Sequence, residues 1–295
     1  MRIALIANPV AGRGRTLDVL PRVITWAEKQ KIGFDFFSTT GPGDAISLAK
    51  FCKYKRYERI VLLGGDGTVN EVGSALLDSD IVVGVIPTGS GNDFYRMLGN
   101  NGGLESGFRT AFFGKPGLVD VGLINERPFF NSVGIGFDAA VALEAARSTR
   151  QLPGIMVYLT AVFRTLPKLK PIDIDLELDK FSTEARATLV CVGNGRSSGG
   201  GFLLTPQARI DDGLFDICLI DILPKRKIFT YLPRTLNGTH VRLPGVKIFR
   251  SRKIMINSFA KMPVHIDGEV LAEGMEEIEF SMDSRKLKVA MAVAE

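Results

Sequence analysis

Residues Ile60 to Val72 read IVLLGGDGTVNEV, and this stretch decides the fold. Ile60, Val61, Leu62 and Leu63 are strand-forming apolar residues. The pattern breaks at Gly64, Gly65, Asp66, Gly67 and Thr68, and a helix-like run follows from Val69 to Leu77. A strand turning directly into a helix presents backbone amides at the helix N-terminus, where anionic phosphate is stabilised. The glycines permit torsions closed to other residues and let the backbone approach a ligand with no Cβ in between. Asp66 is out of place in a plain phosphate cradle, but it suits a magnesium ion or the proton of a substrate hydroxyl. Thr68 is placed to cap the helix, with Glu71 in capping-box spacing after it. Taken alone, the same residues also describe a tight strand-to-helix turn with no ligand.

Outward from this stretch, strand and helix patterns alternate. Arg2 to Ala7, Gly33 to Phe37, Arg59 to Leu63 and Ile81 to Ile86 read as strands, and Thr16 to Lys31, Asp44 to Tyr54 and Val69 to Leu77 as helices. Such alternation predicts a parallel sheet with helices on both faces, an α/β domain of Rossmann-like type. Three glycine-bearing loops follow strands: Asn8 to Gly14, the Gly64 loop, and Pro87 to Asp93. In an open parallel sheet all three gather at the carboxyl ends of the strands, where ligands bind.

After about Leu118 short β-rich runs dominate: Leu118 to Ile124, Phe129 to Gly134, Ile172 to Leu178, Ala187 to Gly193, Phe215 to Ile220, Ile254 to Ile256, Val264 to Ile266 and Ile278 to Met282. Asp-Gly and Pro turns divide them, with helix candidates at Asp138 to Ala146 and around Tyr158 to Leu166. This predicts a second, mainly antiparallel β domain. The expected division is 1–124 and 125–285, with the last strand, Lys286 to Val293, able to join either part.

The 295 residues are enough for two domains and a large core. Three scattered cysteines, Cys52, Cys191 and Cys218, fit a reducing compartment and no disulfide framework. Two histidines, His240 and His265, leave little material for a zinc site or a histidine-based triad. Met1-Arg2 runs straight into a strand, with no signal peptide. The most apolar later stretch, Gly154 to Phe163, is too short to span a bilayer. The expectation is a cytoplasmic protein, at most peripheral to a membrane.

Net charge is +5, unevenly placed. Ile222 to Lys261 contains no Asp or Glu and ten basic residues: Lys225, Arg226, Lys227, Arg234, Arg242, Lys247, Arg250, Arg252, Lys253 and Lys261. Phe229, Tyr231, Leu232, Ile248 and Phe249 lie among them. A second acid-free stretch, Ala145 to Ile172, holds Arg147, Arg150, Arg164, Lys168 and Lys170. An anionic membrane surface is the expected partner of 222–261, and nucleic acid is not expected; a solvated basic face is the plain alternative. The oligomeric state stays open, a homodimer among the options.

Several familiar signatures are absent: the Walker A spacing, a His-Arg-Asp catalytic loop, and a GxGxxG fingerprint, since Leu17 stands where the third glycine belongs. GGDGTVNEV, NPVAGRG (Asn8 to Gly14), TTGPGDA (Thr39 to Ala45) and PTGSGNDF (Pro87 to Phe94) instead resemble the diacylglycerol kinase catalytic domain, shared by bacterial soluble lipid kinases and by sphingosine and ceramide kinases. The likeness continues through VDVGLIN (Val119 to Asn125), FNSVGIGFDA (Phe130 to Ala139), GNGRSSGGGFLLTPQARIDDGLFDI (Gly193 to Ile217) and HIDGE (His265 to Glu269). It implies an N-terminal domain like those of phosphofructokinase and NAD kinase, a C-terminal antiparallel β-sandwich, and an active site in the cleft between them.

The resemblance also implies roles. ATP would be lined by Asn8, Gly12, Arg13 (lysine in many members), Thr39 or Thr40, the run Gly64, Gly65, Asp66, Gly67, Thr68, Val69 and Asn70, and Ser90, where the family usually has threonine. Asp66 would handle the catalytic Mg2+ and Asp120 would join its network. Glu269 would be the general base, taking the proton from a lipid hydroxyl as it attacks the γ-phosphate. A structural Mg2+ would sit on Asp212 with carbonyls of Arg209 and Leu214. Asp93 and Asp138 are weaker candidates, each also explained by a helix start. HIDGE reads equally as a β-hairpin with an Asp-Gly turn. The expected activity is ATP-dependent phosphorylation of a lipid hydroxyl, first of all that of diacylglycerol. The rivals are an NAD kinase-like enzyme acting on a soluble substrate, and a non-catalytic lipid- or nucleotide-binding regulator.

Overall fold

The computed structural model describes residues 1–99, 103–147 and 154–292; Arg150 and Val293 lie outside them. The chain divides into two units, 1–119 with 285–295, and 120–284.

The first unit alternates through its fourth strand as its sequence pattern predicts, and two further helices and a strand add to that reading. Strand β1 (Ile3–Ala7) leads through a short 3-10 turn, Ala11–Gly14, to α1 (Arg15–Lys29); then come β2 (Asp35–Ser38), α2 (Asp44–Tyr54), β3 (Arg59–Gly64), α3 (Asp66–Ala75), β4 (Val82–Pro87), α4 (Asp93–Met97), α5 (Leu104–Phe113) and β5 (Lys115–Val119). Helix α1 buries Thr16, Val19, Val23 and Ala27, the three- and four-residue spacing of a helix with one face on a sheet. Strands β1, β3 and β4 are buried on both faces, as the middle of a helix-covered parallel sheet requires.

The second unit opens with β6 (Gly122–Ile124), β7 (Arg127–Phe129), β8 (Ser132–Gly136), α6 (Phe137–Ala146), α7 (Gly154–Thr165), β9 (Ile172–Leu178), β10 (Ser182–Gly193) and β11 (Phe215–Asp221). It continues with α8 (Ile228–Thr235), β12 (Val246–Ser251), β13 (Lys253–Ile266) and β14 (Glu269–Met282). Its antiparallel sheet runs β12-β11-β10-β8-β13-β14-β6-β7, while β9 pairs with both β10 and β13. Phe129 near one edge, Phe215 on β11 and Phe280 on β14 pack ring to ring, with centroids 5.6 to 6.2 Å apart. Strands so distant in sheet order meet only because the sheet curls over its own core. Gly122 makes room: a Cβ there would lie 2.3 Å from the Phe129 ring. Helices α6, α7 and α8 supply a second apolar cluster with Cys191, Cys218 and Leu189 from the strands.

The final strand, β15 (Leu287–Met291), returns to the first sheet, whose order is β2-β1-β3-β4-β15-β5. It runs parallel to β4 and antiparallel to β5. Three expectations change. Leu118 to Ile124 is two strands, because the chain leaves the first sheet after Val119 and pairs Gly122–Ile124 with β14, so the first compact unit closes at Val119. Ile254 to Ile256 and Val264 to Ile266 are two ends of one strand, broken in register between Asn257 and Met262. Phe129 to Gly134 is two strands, β7 and β8.

Candidate active site

In the first unit the three glycine-bearing loops are joined by direct contacts. Asn8 donates from Nδ2 to Thr68 Oγ1 at 2.9 Å, and the hydroxyls of Thr16 and Thr88 lie 2.6 Å apart. Gly12 has φ +57, and a Cβ on it would fall 1.9 Å from the Thr88 carbonyl oxygen. A Cβ on Gly89 would lie 2.4 Å from the Gly65 Cα. These approaches exclude any side chain, so the glycines at 12, 65 and 89 are what let the loops close on one another. Asn92 Nδ2 ties the third loop to the Gly89 carbonyl at 2.7 Å.

Helix α3 starts at Asp66, three positions before the expected Val69, with Gly65 as its N-cap residue. The capping box is therefore not formed: Thr68 is already inside the first turn and accepts from Asn8, while Glu71 Oε1 accepts the Gly43 amide at 3.1 Å. Asp66 Oδ1 accepts the Phe94 amide at 3.0 Å, so the carboxylate links the second loop to the start of α4. Gly64, Gly67 and Asn70 lie on the same strand-helix turn, whereas the Val69 side chain is core and its amide donates to Gly65 O at 3.0 Å. Val69 thus has no side chain to offer a nucleotide. Arg13 and Ser90 are exposed on the first and third loops. Thr39 is buried at the end of β2; exposed Thr40 donates to Asp44, whose carboxyl is held below its ordinary value chiefly by the Thr40 hydroxyl.

In the second unit, Asp267 and Gly268 form the hairpin turn between β13 and β14, with φ +49 and +87. Positive φ at both central residues is the turn that matches strand twist, and Asp-Gly is a preferred pair for it. The turn reading and the site reading of HIDGE are both realised. Asp267 Oδ1 accepts the amides of Asn131 and Ser132, and Oδ2 that of Phe130, each at 2.9 Å. The carboxylate thereby locks the turn onto the start of β8. Glu269, about half exposed, pairs with Arg127 at 2.9 Å.

Beneath the turn lie buried His265 and Asp138, with Nε2 and Oδ2 2.9 Å apart; Tyr158 donates its hydroxyl to Asp138 Oδ1. The Gly268 amide donates to His265 Nδ1 at 3.3 Å, so the ring spans from the turn to Asp138. Burial works against the Asp138 carboxylate, but His265 and Tyr158 outweigh it and hold its pKa below the ordinary value. Asp138 also lines an apolar cavity of about 60 Å3 walled by Val141, Tyr158, Val162, Leu189, Phe202 and Tyr231 among others.

Asp120 is buried, and its Oδ2 accepts the Gly213 amide at 2.6 Å. Its own carbonyl accepts from Asn194 Nδ2, which also reaches the Phe130 carbonyl, both at 2.9 Å. The Oδ1 atoms of Asn131 and Asn194 are buried without a hydrogen-bonding partner among the described residues. On the adjoining turn Asp212 is already engaged: Oδ1 accepts the Leu214 amide at 3.2 Å, and Oδ2 pairs with Arg250, which also reaches Asp216 at 3.3 Å. Arg209 points its guanidinium at Asp211, 3.3 Å away. No group of three or more His, Cys, Asp or Glu side chains clusters to hold a metal among the described residues. A cation at Asp212 would compete with Arg250 for that carboxylate.

Sequence reasoning gave no site role to Arg127, Asp267, Tyr158, Asn131 or Asn194, and it met His265 only as part of the HIDGE motif and Arg250 only as one of the ten basic residues of 222–261. Asp267 carried a signal, since the motif contains it, but an Asp-Gly pair is sufficiently explained by its turn.

Comparison with known proteins assigns the chain to a family. Residues 2–124 match the diacylglycerol kinase catalytic domain, and 131–290 the YegS C-terminal NAD kinase beta sandwich-like domain. A diacylglycerol kinase of Staphylococcus saprophyticus is 30% identical over 270 residues, 91% of this chain and 88% of the relative. One from Bacillus subtilis is 29% identical over 271 residues, 91% of this chain and 89% of the relative. Two solved chains from Bacillus anthracis str. Sterne share the fold, with TM-scores of 0.79 and 0.73 at 24% and 21% identity, each over 99% of this chain and 98% of the other. The chain belongs to the diacylglycerol kinase catalytic-domain family and is accordingly a lipid kinase, with ATP as the phosphoryl donor that the family implies.

Proposed function

We propose that the protein transfers the γ-phosphate of ATP to the hydroxyl of diacylglycerol, giving phosphatidic acid. Support for a lipid acceptor comes above all from one observation: the apolar cavity of the second unit ends on Asp138, and Asp138 is linked through His265 to the turn that carries Glu269. An acyl chain matches the apolar walls of the cavity and places its polar end toward Asp138, whereas a nicotinamide dinucleotide, polar along its length, would not fill such walls. At about 60 Å3 the cavity admits only a short length of chain, so entry requires α7 and α8 to part.

The first unit supplies the donor side, its joined loops presenting backbone amides to the phosphates. Asp66 would hold the Mg2+ that accompanies ATP, which would supply neutralisation of phosphate charge. Glu269, oriented by Arg127, takes the hydroxyl proton; the freed oxygen bonds to the γ-phosphorus as the bond to the β-phosphate oxygen breaks, and ADP leaves. No step is assigned to a metal at Asp212.

The test is phosphate transfer from labelled ATP to a panel in mixed micelles: diacylglycerol, monoacylglycerol, sphingosine, phosphatidylglycerol and a polyprenol, with NAD beside them. Diacylglycerol should give the highest kcat/KM. Preferred labelling of NAD would overturn the lipid reading, and preferred labelling of another lipid would overturn the choice of diacylglycerol.

A further inference from the structure

Of the residues described as lining the cavity of the second unit, five carry polar side-chain atoms: Asp138, Tyr158, Thr188, Tyr231 and Thr235. Each has those atoms engaged by the protein itself. The Thr188 hydroxyl donates to the Asp221 carbonyl at 3.0 Å and accepts the Leu223 amide at 2.8 Å. The hydroxyls of Tyr231 and Thr235 donate to the carbonyls of Pro244 and Leu232, both at 2.6 Å. The cavity therefore shows a ligand mostly carbon.

One of these bonds differs in kind. Thr188, Tyr231 and Thr235 donate to neutral backbone carbonyls, whereas Tyr158 donates to a carboxylate. Asp138 is 2% exposed; its Oδ2 lies 2.9 Å from His265 Nε2, and its Oδ1 takes the Tyr158 hydroxyl. Tyr158 and Asp138 both line the cavity, so the phenol stands at the carboxylate oxygen that a ligand there would otherwise meet. The ring is held in this place by packing. It lies on Phe202 with centroids 4.7 Å apart, and Gly199, at φ +62, passes so close that a Cβ on it would fall 2.5 Å from a ring carbon.

The arrangement sorts acceptors by their hydrogen-bond donors. A glycerol diester has one donor, the hydroxyl to be phosphorylated, and asks nothing further of Asp138. An acceptor with a second hydroxyl or an ammonium group reaches Asp138 only by displacing the phenol. That exchanges one charge-assisted hydrogen bond for another and gains little. Without the phenol, the same oxygen is a buried charge short of a partner, and a second donor on the acceptor would satisfy it. Buried polar groups that are filled by one ligand and left unpaired by another discriminate strongly between the two.

We propose that Tyr158 is a specificity-determining residue: by occupying Asp138 from within the chain, its hydroxyl reserves the cavity for acceptors that lack a second hydrogen-bond donor, diacylglycerol ahead of monoacylglycerol or a sphingoid base. This rests on the lipid-acceptor reading above and adds to it the residue that sets the choice.

The test compares wild type with Tyr158→Phe, which keeps the ring on Phe202, in phosphate transfer to dioleoylglycerol and 1-monooleoylglycerol in mixed micelles. The ratio of kcat/KM for the monoacyl over the diacyl acceptor should rise about 10-fold in the variant, through a lower KM for the monoacyl acceptor and not through kcat. Tyr158→Met removes the same hydroxyl with different packing, so a rise shared by both variants belongs to the hydroxyl and not to the ring. Equilibrium dialysis of 1-decanol and 1,2-decanediol reads the cavity without ATP or turnover. Relative to the alcohol, the diol should bind Tyr158→Phe about 10-fold more tightly than it binds wild type. If wild type transfers no phosphate to diacylglycerol and the diol preference still shifts, the acceptor reading falls and the role of Tyr158 stands. An unchanged acceptor ratio in active enzyme, or equal gains for diol and alcohol, overturns the proposal.

Discussion

The loop edge of the first unit and the turn at Asp267 in the second reach the same end, fixed polar groups, by opposite means. The loop edge is backbone against backbone: Gly12 under the Thr88 carbonyl, Gly65 against Gly89. The second region is side chain against distant backbone, with Asp267 collecting three amides from 130–132 and Asp120 the Gly213 amide. Close backbone approach admits only one residue type, so the first arrangement writes itself into the sequence as glycine. An amide partner can belong to any residue, so the second leaves a lone aspartate and no matching mark at the other end.

The sharpest way to break this contrast is at Glu269, where chemistry and scaffold separate. Glu269→Gln should lower kcat by about 10²- to 10⁴-fold, the usual worth of a general base, while ATP affinity, set by the first unit, stays near wild type. Single-turnover transfer together with nucleotide titration measures both; undiminished transfer removes Glu269 as the base. Gly12→Ala should do the reverse. With φ +57 and a Cβ 1.9 Å from Thr88 O, the loop must open, so ATP binding should collapse, with about 2 kcal/mol or more of stability lost. Nucleotide binding within a few-fold of wild type would show that the loops need not touch.

Asp267→Asn probes the other side of the comparison. An asparagine offers one oxygen to amides that now share two, so at least one buried N–H loses its partner, at about 1 to 3 kcal/mol. The unfolding midpoint should fall accordingly, and kcat with it because the turn carries Glu269, whereas ATP affinity should not move. A variant as stable as wild type would show that the hairpin holds its place without the carboxylate.

Legibility follows the same division. The strand-helix alternation and all three loops of the first unit were readable, because periodicity and glycine are local signals. The helix start at Asp66 was not: Thr68 and Glu71 have capping spacing, yet their side chains are drawn to Asn8 and Gly43, neighbours only in three dimensions. In the second unit the strands were readable as short β runs, but not that Val119 and Gly122 belong to different sheets. That depends on which edge each strand finds. Glu269 and Asp212 came into view through family resemblance, while Arg127 and Arg250, which pair with them, stood too far along the chain to be matched.

Arg250 gives the smallest and most discriminating effect. Its guanidinium bridges Asp212 and Asp216 across the Asp-Gly turn, and Asp216 is so buried that its pKa is pushed up. The site therefore needs a positive charge, and the chain supplies one itself. A side chain already in place costs a divalent ion its advantage, since magnesium sheds water reluctantly and favours oxygen donors in octahedral order. If so, chelator should leave wild-type melting unchanged. Arg250→Met should cost about 1 kcal/mol or less, because the arginine is nearly half exposed and its pairing is screened. The same variant should regain the loss on adding magnesium, as the two carboxylates become available to it. Differential scanning fluorimetry across a magnesium series reads both proteins at once. A wild type that melts earlier in chelator would show that the metal displaces the guanidinium, and the turn at Asp212 would then depend, unlike the loop edge, on a ligand the chain does not carry.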